Sequence, residues 1–165
     1  ISSKIKLLER NDKMATVTAN PYATVQSGSM EGFTSIGKVF YGETVTLLWS
    51  EGSYYYIEYT VDSTGKKKRG YILMRAVNGS TSTVGNITRG TRYVHKKATV
   101  YFGPGSSYAP ADYTLDVGRT VTYLGYKVNN YAYVEYQNTS NSVGAYERGY
   151  VYANNLGTGK VKNYT

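Results

Sequence analysis

Apolar and polar positions alternate along this chain in short runs, and each run is closed by glycine, asparagine, serine or threonine. In "YYYIEY" at 54–59, a period of two puts Tyr55, Ile57 and Tyr59 on one face and Tyr54, Tyr56 and Glu58 on the other. "YAYVEY" at 131–136 sets Ala132, Val134 and Tyr136 against Tyr131, Tyr133 and Glu135 in the same way. A glutamate marks the outward face both times, so the tyrosines beside it are expected to be exposed. "GETVTLL" at 42–48 and "GRTVTYL" at 118–124 also read as strands. The polar stretches "TVDSTGKKK" and "QNTSNSVGAYE" suit hairpins with extended loops. Only the leading "SKIKLLERNDK" leaves room for a helix, and it fits a last strand and tether equally well.

The pattern occurs twice. "ATVQSG" at 23–28 falls on "ATVYFG" at 98–103 with an offset of 75, and the two Thr-Val-Thr blocks follow at 76. The aromatic strands follow at 77, and "RGYI" at 69–72 falls on "RGYV" at 148–151 at 79. Four blocks recur in one order, and the offset grows only between blocks, as expected when a fold is duplicated and its loops drift. Each unit reads as about five short strands, suited to a small closed or partly closed barrel. The segment between the first and second blocks is expected to wander over the surface. This divides the chain into 1–14, a tether or the end of an upstream domain; 15–77, a first domain; 78–91, a linker or exchanged edge strand; 92–157, a second domain; and 158–165, a tail.

Composition agrees with an all-β fold. There are 20 tyrosines against three phenylalanines and one tryptophan, with 18 glycines to turn the chain. The absence of cysteine excludes disulfides, thiolate metal sites and a cysteine nucleophile, and a lone His95 leaves no imidazole pair for zinc. His95 is therefore read as surface or structural. No run of apolar residues is long enough to span a membrane, and no leader of signal-peptide type is visible. The chain begins with Ile1, which leads us to expect a fragment or processed product.

The net charge of +8 is uneven, with nine basic and four acidic side chains in residues 86–165. Such a surface favours polyanions: nucleic acid, anionic lipid or wall phosphates. Lys66, Lys67, Lys68 and Arg69 form a basic run that fits either phosphate binding or a solvated hairpin that discourages edge pairing. Arg89, Arg92, Lys96 and Lys97 form a looser patch. Glu58 and Glu135 occupy matched places in different repeats, so they do not form an acid/base pair across one bond. No cofactor is indicated.

The order of an opening turn, Gly-x-Thr-Val-Thr-x-Leu, an aromatic strand and Arg-Gly-Tyr-Val-x-x-x-x-Leu resembles the bacterial SH3-like domain. "TVYFGPGSSY" is similar to the opening turn of that family and "GYVYANNL" to its closing motif. The resemblance covers 15–77 and 92–156. Tyr71 and Tyr150 stand where the family usually has tryptophan, and "SGSMEG" replaces the usual Gly-Pro turn in the first copy. The resemblance implies two tandem small barrels beside the catalytic domain of a phage endolysin or bacterial autolysin. It implies binding to peptidoglycan or its anionic polymers in a Gram-positive wall, outside the target cell, with a hydrolase domain upstream. Neither nucleic acid nor membrane is expected as partner.

Outward tyrosines serve as platforms for sugar rings or peptide stems, or they cover one another across strands. The candidates are Tyr54, Tyr56, Tyr71, Tyr131, Tyr133 and Tyr150, with Tyr101, Phe102 and Tyr108 from the second opening loop. A nucleic-acid-binding barrel that stacks bases on aromatics is the alternative. An enzyme in its own right and an adhesin for host surfaces are weaker readings.

Overall fold

The duplicated sequence folds into a duplicated sheet. The computed structural model describes residues 13–81, 83, 88–140 and 145–162. They fall into two compact units that divide between residues 86 and 87. The first holds β1 (Lys13–Thr16), β2 (Tyr22–Gln26), β3 (Ser35–Phe40), β4 (Thr44–Glu51), β5 (Tyr54–Thr60) and β6 (Lys67–Leu73), then a 3-10 turn at Met74–Ala76. The second holds β7 (Gly90–Val94), β8 (Ala98–Tyr101), β9 (Pro110–Leu115), β10 (Thr120–Val128), β11 (Tyr131–Gln137) and β12 (Tyr146–Tyr152). A 3-10 turn at Ala153–Asn155 and a short β13 (Leu156–Gly157) complete it.

The first sheet runs β1-β4-β5-β6-β2-β3 and the second β13-β7-β10-β11-β12-β8-β9. The strand pairs resolved in register are antiparallel, and removing β13 makes the two orders identical. The ladders are open: no hydrogen-bonded pairing among the described residues joins the two ends of either sheet. Six and seven strands replace the expected five: β3 and β9 lie in the segment read as a surface excursion, and β13 adds the seventh. β3 and β9 pair with β2 and β8 instead. The stretch read as a linker is shared out. Asn78 and Gly79 bond to Thr16 and Tyr55 of the first unit, whereas Gly90 and Thr91 open β7. Lys13 begins β1, and the rest of the leading segment lies outside the described residues.

One face of each sheet builds the core that period two predicts. Val25, Val45, Leu47, Tyr55, Ile57 and Ile72 are buried together in the first unit. Val100, Leu115, Val121, Val134, Tyr136 and Val151 are buried together in the second. The other face was expected to be open, and it is not. Tyr56 and Tyr133 are 1% and 4% exposed, and Tyr71 and Tyr150 are buried as well. A second aromatic layer covers them. Trp49 lies 4.4 Å from Tyr56, which lies 4.7 Å from Tyr71. Tyr126, Tyr133 and Tyr150 repeat the cluster, with Tyr133 stacked 4.7 Å from Tyr150. The covering rings arrive from β4 and β10, both of which change register along their length, at Leu47/Trp49 and at Tyr123/Lys127. A bulge re-aims the side chains beyond it, which a strict period of two does not anticipate.

The repeated Arg-Gly-Tyr has a separate reason for each residue. Arg69 Nε donates to Glu58 Oε1 at 3.0 Å, and Arg148 Nε to Glu135 Oε1 at 3.0 Å, across the β5–β6 and β11–β12 pairs. Both guanidinium groups are buried, so each needs its carboxylate. A Cβ on Gly70 would meet Val25 Cγ1 at 2.4 Å and Gln26 O at 2.9 Å; on Gly149 it would meet Val100 Cγ1 at 2.5 Å and Tyr101 O at 3.0 Å. Only glycine lets β2 and β8 approach so closely. The tyrosine completes the second layer.

Candidate ligand groove in each unit

Beside the Arg-Gly-Tyr strand, each unit leaves an open groove built from the same strand positions. In the second unit, period two along Lys97, Thr99 and Tyr101 sends these side chains to one face. Tyr131 begins β11 opposite Tyr152 at the end of β12, so their rings meet 5.6 Å apart. Tyr101 approaches Tyr131 edge-on at 6.1 Å. With Asn155 these residues line a cavity of about 320 Å³. Tyr152 is exposed, whereas Tyr101 and Tyr131 are half-buried. The following 3-10 turn is pinned in place, because His95 N and Lys96 N both donate to Asn155 O.

In the first unit, Tyr22, Thr24 and Gln26 of β2 play the part of Lys97, Thr99 and Tyr101. Tyr54 faces Leu73 across β5 and β6, as Tyr131 faces Tyr152. With Arg75, these line a cavity of about 470 Å³. Gln26 Oε1 is buried and has no hydrogen-bond partner among the described residues. Such an atom pays for its desolvation unless a ligand or water donates to it. The cation has moved: Arg75 follows β6 in the first groove, and Lys97 precedes β8 in the second. Lys97 Nζ lies 4.0 Å from Asp116 with both side chains largely exposed, a weak pairing in water.

Of the residues singled out from sequence, Tyr54, Tyr101 and Tyr131 stand in these grooves. Tyr56, Tyr71, Tyr133 and Tyr150 are in the buried aromatic layer, and Phe102 is buried too, so none of these five presents a face to a ligand. Tyr108 lies against Gly103, where a Cβ would come within 1.9 Å of its ring, as Phe33 lies against Gly28 in the first unit. Tyr22, Gln26, Tyr152 and Asn155 were not anticipated; the alternation through "KATVY" and the offset of 79 at the end of β12 were the available signals. The basic run is largely used within the fold. Lys67 Nζ is 3.6 Å from Glu58, Lys68 Nζ donates to Ile36 O at 2.7 Å, and Arg69 is buried. Arg92 lies over the Tyr123 ring at 5.0 Å. His95 Nε2 is 2.7 Å from Gly159 O, a contact that ties the segment after β13 to the residue that follows β7.

A floor of tyrosine rings with amide, hydroxyl and cationic groups at its rim can cover the C–H face of a sugar or peptide and hydrogen-bond its polar edge. Among the described residues, no helix is long and apolar enough to cross a membrane, and no three acidic or imidazole groups converge as a metal site would require.

No protein-family model matches the chain. No curated protein matches it either. Among solved structures, it is similar to NlpC1 from Trichomonas vaginalis, with 10% identity and a TM-score of 0.35 over 88% of this chain and 45% of that one. NlpC2 from the same organism gives 11% identity and a TM-score of 0.34 over 88% and 48%. This chain thus spans a little under half the length of either.

Proposed function

We propose that the chain is a non-catalytic wall-binding module, two SH3-like barrels in tandem, that holds a peptidoglycan hydrolase of endolysin or autolysin type on a Gram-positive envelope. The observation that carries this reading is the groove found at the same strand positions in both units, with half-buried tyrosines as its floor. Peptidoglycan and its attached polymers are repetitive, so two modest sites on one chain act at high effective concentration. The two grooves are similar in place and different in lining, which suits neighbouring chemical groups of one polymer. Tyr101, Tyr131 and Tyr152 supply flat surface in one, and Gln26, Tyr54 and Arg75 supply more polar contacts in the other. The catalytic domain belongs to the portion upstream, and the site of action is the outside of the target bacterium.

The test is sedimentation of a fluorescent fusion of residues 1–165 with purified Gram-positive sacculi, before and after acid removal of teichoic acids. Binding that survives extraction places the ligand in peptidoglycan; binding lost with the polymer places it there instead. Failure on every sacculus, combined with tight and steeply salt-dependent binding to an oligonucleotide, overturns the proposal in favour of nucleic acid.

A further inference from the structure

The units differ most where β3 and β9 face the ends of β5 and β11. In the second unit Tyr113 of β9 lies flat on Tyr136, with centroids 5.3 Å apart and planes 7° from parallel. Tyr136 OH donates to Glu147 Oε1 at 2.8 Å. Arg119 closes the edge, donating to Tyr113 OH at 2.8 Å and to Gln137 O at 2.6 Å.

Three exchanges empty this arrangement in the first unit. Ala23 pairs with Val39 and Thr24 with Lys38, as Ala98 pairs with Leu115 and Thr99 with Thr114. One residue further along, Gly37 stands where the second unit has Tyr113. Glu43 replaces Arg119 after the matching turn, and Lys68 replaces Glu147 beside the matched arginine. What remains is an open cavity of about 460 Å³ with Tyr59, the counterpart of Tyr136, as its floor. Gly37 faces the tip of that ring, since a Cβ there would lie 2.4 Å from Tyr59 OH. Tyr59 is 7% exposed, and its hydroxyl has no hydrogen-bond partner among the described residues. The cavity also carries Lys38, Lys68, Glu43 and Asp62. Lys38 Nζ sits 4.2 Å over the Tyr22 ring, and the Glu43 carboxylate accepts from Phe40 N at 2.5 Å.

We propose that this cavity is a second ligand site, peculiar to the first unit, for a flat ring of about phenol size that bears a carboxylate. The second unit shows what fills the space: an aromatic ring laid on the tyrosine and a carboxylate that accepts its hydroxyl proton. In the first unit the ligand supplies both, its ring in place of Tyr113 and its carboxylate in place of Glu147. The exchange of Glu147 for Lys68 puts a cation where an incoming anion needs one. The volume is ample for such a group.

The site does not depend on wall binding, so the two can fail separately. The experiment is an NMR titration of the isotope-labelled full chain with 4-hydroxyphenylacetate, p-cresol and tyramine. The acid is expected to give saturable shifts at Gly37 and Tyr59 in the millimolar range, p-cresol to bind about tenfold more weakly, and tyramine more weakly still. Tyr59→Phe and Lys68→Glu, which leave the cavity open, should each erase the preference for the acid over p-cresol. Absence of saturable shifts with the acid overturns the proposal, as does equal binding of tyramine or a preference unchanged in both open-cavity variants.

Discussion

The two units share a framework and differ in what they place around it. The Glu58–Arg69 and Glu135–Arg148 pairs have the same length, and Gly70 and Gly149 meet the same pair of neighbours. Tyr59 and Tyr136 occupy equivalent places in the two cores, yet one hydroxyl is unpartnered among the described residues and the other donates to Glu147. The comparison teaches that this fold is held by close backbone approach and a buried ion pair, and that its edge positions are free to be exchanged. The grooves follow the same rule: Gln26 and Leu73 in one unit stand where Tyr101 and Tyr152 stand in the other.

The shared framework is the place to break both units alike. Gly70→Ala and Gly149→Ala force a methyl group against a valine and a backbone oxygen at 3.0 Å or less. Each is expected to destabilise its own unit by about 3 kcal/mol, near the upper end of the usual cost of overpacking. Urea unfolding should show one early transition per substituted unit. Similar losses at the two positions support a common framework, and a negligible loss at either contradicts it.

The core tyrosines should separate the units. Tyr136→Phe removes one donor to the buried Glu147 carboxylate, which keeps that of Asn138 Nδ2, and should cost about 1.5 kcal/mol. Tyr59→Phe removes a hydroxyl that makes no such bond and should stay within about 0.5 kcal/mol of the parent. Equal costs would mean that Tyr59 OH has a partner of equivalent strength.

Alkaline pH gives the most specific effect. Burial pushes the Tyr59 hydroxyl well above the usual tyrosine range, and burial together with the Glu147 carboxylate does the same to Tyr136. The folded chain then keeps protons that the unfolded chain releases above about pH 10, so stability is full below that pH and falls as pH rises. Each group contributes a slope of about 1.4 kcal/mol per pH unit. Tyr113 works the other way: burial would raise its value, but bonds from Thr139 and the Arg119 guanidinium hold it below the usual one. The first unit is therefore the cleaner test. Tyr59→Phe should flatten its alkaline decline in pH-dependent urea melts, and an unchanged slope would contradict the assignment.

The all-β class, the duplication and the central strands were legible because period two and ordered repeat blocks are properties of neighbouring residues. What covered the outward face was not. Glu58 and Glu135 mark that face correctly, but Arg69 and Arg148 pair with them there, and Trp49 and Tyr126 arrive from strands whose register shifts. A face period therefore predicted exposure for Tyr56 and Tyr133, which long-range packing buries. Tyr54 and Tyr131 were legible as outward residues because the alternation sets them on the face of Glu58 and Glu135. Tyr152 was missed because its role depends on which strand end lies opposite Tyr131. Local charge left the basic run open between phosphate binding and a solvated hairpin, because its partners Glu58 and Ile36 O come from other strands.

The central claim is that two grooves act together on one polymer, and the most direct measurement is the affinity of the full chain for purified sacculi with Tyr54→Ala, Tyr131→Ala and the double variant. Both tyrosines are half-buried at strand starts, and circular dichroism and melting check that each variant keeps its fold. Loss of one aromatic platform should weaken binding about tenfold, and loss of both should weaken it by much more than either alone. Unchanged affinity in the double variant, with the fold intact, would contradict the account.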